Sequence, residues 1–178
     1  MRAIPRLQTA SVGDLDRLCR LLCAEAPELF AADAAAVLVD DGWGKLRVRA
    51  AANLDAAFPA RVVQTTLEMS QLGDERGEVA GLAGIEDERR FPNLFQDGVR
   101  TALWVQVRSR GWVTGALVLA QRGETRGFSD DDRLYAEVLA AFLGSRIAEF
   151  KQERRASGLQ RALTDVELRS GLREPEKI

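Results

Sequence analysis

Thr101-Ala-Leu-Trp-Val-Gln-Val-Arg-Ser109, then Arg110-Gly111-Trp112, then Val113-Thr-Gly-Ala-Leu-Val-Leu-Ala120 is the stretch that decides the fold. Both runs have strand length and β-type residues, and the link between them is short enough for a tight hairpin. In the first run Leu103, Val105 and Val107 face one way, and Ala102, Trp104, Gln106 and Arg108 face the other. The second run is apolar at nearly every position, as expected of a strand buried on both faces. Helices must therefore cover one side of this sheet and something else the other.

Downstream, Phe128-Ser-Asp-Asp-Asp-Arg-Leu134 is a helix start: Ser129 suits the N-cap, and three aspartates suit the positive end of the helix dipole. The helix expected over 129–150 carries Leu134, Val138, Ala141 and Ser145, together with Leu139, Phe142, Leu143, Ile147 and Phe150. It is apolar around more of its circumference than one sheet contact needs, so the surplus face calls for a partner. Past Phe150 the sequence turns charged, Lys151-Gln-Glu-Arg-Arg155, with Leu159, Leu163 and Val166 spaced among polar residues and Gly158 and Gly171 as weak points. Residues 151–178 are expected to form a projecting helical extension and tail.

Upstream, Leu15, Leu18, Cys19 and Leu22 recur at helical spacing behind Ser11 and Asp14, predicting an amphipathic helix over 11–30 that Pro27 ends or kinks. A hairpin follows: Ala34-Ala-Ala-Val-Leu-Val-Asp40, an Asp41-Gly42 turn, and Lys45-Leu-Arg-Val-Arg-Ala50 in strict alternation. There Leu46, Val48 and Ala50 are expected on one face and Lys45, Arg47 and Arg49 on the other. The basic row reads either as an anion site or as the charge that protects an edge strand.

Phe58 to Leu72 has mostly helical spacing and a stop at Gly73. Residues 74–98 show no clean period and read as a partly helical excursion. A segment of about 25 residues of that kind usually covers a binding site or moves. Its Glu86-Asp87-Glu88 run does not converge on one ion and reads as a solvated turn.

Composition narrows the function. Over 178 residues the hydrophobic fraction is 46%, which suits one folded core. The net charge is -2, unlike a phosphate-binding surface, so no nucleic-acid partner is expected. No stretch approaches the roughly 20 apolar residues of a membrane span, and residues 1–10 form a tail without a signal-peptide core, so the expected location is the cytoplasm. There is no histidine, which removes Ser/Cys-His catalysis, His-containing zinc sites and the phospho-acceptor step of a histidine kinase. Cys19 and Cys23 read as buried free thiols. No enzyme, cofactor or metal is expected.

The order helix, hairpin, helix, excursion, hairpin, long helix resembles the GAF family. The likeness is strongest over 94–150, in Gly98-Val-Arg-Thr-Ala-Leu-Trp-Val-Gln-Val107, Gly115-Ala-Leu-Val-Leu119 and Phe128-Ser129-Asp130-Asp131-Asp132. Where the family commonly has a proline near the end of the first of these strands, this chain has Gln106. The resemblance implies an α+β, GAF/PAS-like domain over 11–150. Its antiparallel sheet of five or six strands, over 34–122, would carry the terminal helices on one face and a pocket roofed by the excursion on the other.

It also implies a homodimer through the first and last helices, with Leu15, Leu18, Leu22, Leu139, Phe142 and Ile147 at the interface. The expected function is signal transduction: an unidentified small molecule held by Trp104, Gln106, Arg108, Phe91 and Phe95, its occupancy passed along the last helix to an output domain or signalling protein. Two alternatives accompany it. Trp104 reads equally as core and Arg108 as solvated, and the chain as a dimerisation scaffold with no ligand. The cysteines lie outside the pocket that the resemblance implies, unlike those of the methionine-sulfoxide-reductase-like members. A bilin-binding Cys/His pair and the Asn-Lys-Phe-Asp-Glu set of the cyclic-nucleotide binders have no counterpart.

Overall fold

The computed structural model describes residues 15–43, 45–55, 80–83, 98–122 and 127–171. In chain order these form α1 (Leu15–Phe30), β1 (Ala34–Asp40), β2 (Leu46–Ala52), β3 (Ala80–Ala83), β4 (Val99–Ser109), β5 (Trp112–Arg122) and α2 (Asp130–Gly171). The strands described make one antiparallel sheet in the order β2-β1-β5-β4-β3.

The sheet grows from the β4–β5 hairpin, which pairs from Val99 opposite Arg122 to Ser109 opposite Trp112. Its tip is Arg110-Gly111, with φ of 51° and 83°. These are the two positive values of a type I′ turn, whose twist matches that of the strands. β5 is buried on both faces, Leu117 and Leu119 toward the helices and Ala116, Val118 and Ala120 away from them. That is the two-sided burial its apolar run predicts.

Both terminal helices lie on one face. Leu18, Leu22 and Phe30 of α1 and Ala140, Leu143 and Ile147 of α2 form one core with Val37, Leu103, Val105, Val107, Leu117 and Leu119. The opposite face holds Leu38, Leu46, Val99, Ala102, Trp104 and Val118. Apart from 80–83 and Gly98, the excursion expected to roof that face lies outside the described residues, as do the helix expected over 58–72 and the N-caps Ser11 and Asp14.

Three expectations change. Pro27 neither ends nor visibly interrupts α1, which runs on to Phe30. Pro27 lies so near the end that it removes one late backbone bond while three more residues complete the turn. The helix closes instead on Ala31, left-handed at φ 47°, whose carbonyl accepts from Gln121 Nε2 at 3.3 Å.

Second, β2 does not keep one face. A bulge sets Val37 opposite Ala50 but Leu38 opposite Val48, so Arg49 is an extra residue and the phase reverses there. Leu46 and Val48 join the core away from the helices, while Ala50 and Ala52 join the helix-side core. Third, the excursion contains a strand: Ala80–Ala83 pairs with Thr101–Trp104. Four residues of Ala-Gly-Leu-Ala are too few and too small to display a period.

β2 is an edge of the described sheet, where charged side chains suit it, and two of the three residues in its basic row have local partners. Arg47 Nε pairs with Asp41 at 2.9 Å, and Arg49 pairs with Asp16 on α1. No helix of the described residues is long and apolar enough to cross a membrane.

Ser129 caps α2 as predicted. Asp132 N–H donates to Ser129 Oγ at 3.2 Å, and the Asp132 carboxylate accepts from Ser129 N–H at 2.9 Å and Oγ at 2.7 Å, a capping box with aspartate in the third position. The helix then runs unbroken through Gly158 to Gly171. From 152 to 164 every side chain is exposed.

Candidate functional site

The face of β4 turned away from the helices carries the polar candidates. Trp104 is 2% exposed and packs among Leu38, Val99, Ala102, Ala116 and Val118, so its ring is part of the wall of that core. Toward the hairpin tip come Gln106 and Arg108, both half-buried. Arg108 donates Nε at 3.0 Å and Nη2 at 2.6 Å to the one oxygen Gln106 Oε1, and Nη1 reaches the Gly111 carbonyl at 3.5 Å. An aromatic wall, an amide and a cation thus follow one another along one strand, as the alternation predicts.

Arg108 also takes part on the other face. β4 and β5 shift register between Val107 and Arg108, leaving Thr114 as an extra residue whose Oγ1 donates to the Val107 carbonyl at 3.2 Å. At this bulge the Arg108 carbonyl meets α2 at Gly144, where an added Cβ would stand 2.0 Å from the carbonyl oxygen and 2.9 Å from its carbon. Only glycine allows the helix to sit there. The contact went unread in the sequence, because Gly144 falls inside a strong helical pattern and nothing local marks a glycine as a packing site. Beside it, a surface groove of about 340 Å³ runs between the hairpin tip and α2, lined among others by Arg110, Ala141, Ser145 and Gln152.

The remaining candidates divide. Phe91 and Phe95 lie outside the described residues. Leu15, Leu18, Leu22 and Ile147 are at most 6% exposed within a single chain and already packed on the sheet, so they offer a partner no surface. Leu139 and Phe142 are partly buried against the same core. Among the described residues, the large apolar side chains that α2 exposes are Leu134, Tyr135, Val138, Leu159 and Leu163, at 58–68%.

Cys19 and Cys23 are free and buried, and burial pushes both thiols up from 9.0 to about 12. Asp41 is held below the ordinary carboxylate value, first by the hydrogen bond from Arg47 and then by the Trp43 N–H.

No protein among curated sequences matches the chain. Among solved structures it is similar to the GAF domain of a phosphoenolpyruvate-protein phosphotransferase from Coxiella burnetii. Identity there is 21%, the match covers 89% of this chain and 93% of that one, and the TM-score is 0.66. It is similar also to the GAF domain of the Acinetobacter phosphoenolpyruvate-protein phosphotransferase, at 18% identity with 83% and 89% covered and a TM-score of 0.63. A GAF domain/HD domain protein from Geobacter sulfurreducens shares the fold at 16% identity, with 79% and 96% covered and a TM-score of 0.66. At these identities the likeness speaks for the fold alone. The family model for the GAF domain, however, matches residues 14–147, and the chain therefore belongs to the GAF domain family, a family of regulatory and sensory domains in signalling proteins.

Proposed function

We propose that this chain is a non-catalytic regulatory module that binds a small molecule on the β4 face turned away from the helices and relays occupancy through a dimer of α2. The observation that carries the reading is a stripe on α2. Leu134, Val138, Ala141, Ser145, Gln152, Leu159 and Leu163 all lie exposed, recur at helical spacing, and include no charge. They begin on the part of the helix that lies on the sheet and continue onto the part beyond it.

The occupant is a second copy of this chain. A single helix of the length past Lys151 is marginal in water, and an identical stripe is the surface that matches this one along its whole length. The expected interface moves accordingly, from Leu15, Leu18, Leu22 and Ile147 to Leu134, Val138, Leu159 and Leu163. An output domain or signalling protein would read the paired helices.

Two features support the absence of catalysis: the sequence has no histidine, and both thiols are too weakly acidic to serve as nucleophiles. The burial of Trp104 and the pairing of Gln106 with Arg108 favour the second reading, a dimerisation scaffold whose face is filled by its own side chains. Light scattering and a thermal-shift screen of metabolites test both. Expected are a dimer that becomes monomeric in Leu159→Glu/Leu163→Glu, and at least one small molecule that raises the melting temperature. A wild-type monomer refutes the dimer. A dimer that no metabolite stabilises leaves the scaffold.

A further inference from the structure

Arg108 belongs to both faces of the sheet at once. Its guanidinium lies on the proposed ligand face, and its carbonyl is the atom on which Gly144 of α2 rests. We propose that Arg108 is the coupling residue of the module: it takes a small oxyanion, the carboxylate or phosphate of a ligand, in place of Gln106, and the exchange moves α2 through Gly144. This rests on the regulatory reading above and names the ligand's chemistry.

The present partner leaves the guanidinium underused. Two donors, Nε and Nη2, share the single neutral oxygen Gln106 Oε1. A carboxylate or phosphate presents two oxygens at the spacing of that fork, and charge-assisted bonds are roughly twice as strong as neutral ones. An oxyanion therefore outcompetes the amide for the same donors.

The exchange cannot remain local. Arg108 sits at the register shift between β4 and β5, where the extra residue Thr114 interrupts the ladder. Its carbonyl has no slack toward the helix, since the space for a single methyl group is missing. Packed contacts of this kind transmit small displacements and do not absorb them. What moves is the segment of α2 that bears Ala141 and Ser145, beside the groove and within the exposed stripe.

Nuclear magnetic resonance on the full ¹⁵N-labelled chain tests this, with inorganic phosphate and acetate titrated separately at fixed ionic strength. Expected is a saturable shift of the Arg108 Nε–Hε signal and of the Gly144 amide with one shared Kd, for whichever anion binds. Arg108→Lys, which keeps the charge and loses the fork, is expected to abolish the Gly144 shift. Gln106→Leu, which removes the competitor, is expected to tighten binding at least threefold, and it serves if Arg108→Lys fails to fold. Three results overturn the proposal: no shift with either anion, a shift at Arg108 with Gly144 unmoved, or binding to Gln106→Leu that is no tighter. A metabolite that alters α2 equally in wild type and Arg108→Lys also overturns it, yet leaves the regulatory reading intact. That reading fails on a different observable, the absence of thermal stabilisation by any metabolite.

Discussion

Replacing glycine by alanine inside a helix normally stabilises it by about 1 kcal/mol. Position 144 is expected to reverse that sign. An alanine Cβ there would lie 2.0 Å from the Arg108 carbonyl oxygen, whereas real contacts of this kind essentially never fall below 3.0 Å. The helix or the strand must therefore give by at least about 1 Å, and both are backbone held by a buried core. Overpacking of this sort costs about 1–3 kcal/mol, and this clash belongs at the upper end because no flexible side chain can yield.

Net of the helix gain, Gly144→Ala is expected to destabilise by about 2 kcal/mol, a fall in melting temperature of about 4–8 °C for a chain of this size. Gly158→Ala supplies the control, since nothing lies within 4 Å of an added Cβ on the projecting part of the same helix. It is expected to increase helicity by far-ultraviolet circular dichroism and to leave the urea midpoint unchanged or slightly raised. If Gly144→Ala proved as stable as the wild type, the helix would not rest on the Arg108 carbonyl, and the coupling argued through that contact would lose its mechanical basis.

The other predictions concern local features. Ala31→Gly is expected to stabilise by up to about 1 kcal/mol, because φ 47° suits glycine at a helix end and strains alanine; urea denaturation measures it. Ser129→Ala breaks the capping box and is expected to cost about 1 kcal/mol by the same assay. Leu103→Ala, fully buried between the helices and the sheet, is expected to cost about 2–5 kcal/mol. The thiols supply a pH dependence. Their folded values, about 12, lie above the unfolded value near 9, so the unfolded chain releases protons first as pH rises. Their contribution is full below pH 9 and is lost progressively between pH 9 and about 12, which urea midpoints at stepped pH should follow. In the native chain at pH 8 both thiols are expected to react with a thiol reagent far more slowly than in urea.

What could be read in advance was whatever a local pattern determines. The tight hairpin across Arg110-Gly111-Trp112, the two-sided burial of β5 and the Ser129 cap each follow from a few adjacent residues. The phase of β2 was misread because a bulge leaves no mark in an alternating sequence: Arg49 looks like any other outward charge until its partner strand is known. The proposed interface shifted for a related reason. Periodicity shows that Leu15, Leu18, Leu22 and Ile147 share apolar faces but not whether sheet or partner covers them, and the sheet does. On the face of β4 turned away from the helices, Trp104, Gln106 and Arg108 were placed together by alternation, while the close approach of the Arg108 carbonyl depends on a helix more than thirty residues away and has no local signature.

The unbroken run of α2 has one more consequence, for its angular phase. At 1.5 Å per residue its 42 residues span about 63 Å, and from 152 to 164 every side chain along it is exposed. Whatever reads the far end therefore reads a direction as well as a position. Each residue inserted near Gly158 would rotate everything beyond it by about 100°, while seven would restore the heading to within about 20°. Insertions of one, two or three residues should thus scramble an output attached beyond Gly171, and an insertion of seven should recover it. The helix would then act as a keyed shaft, whose register is part of the signal.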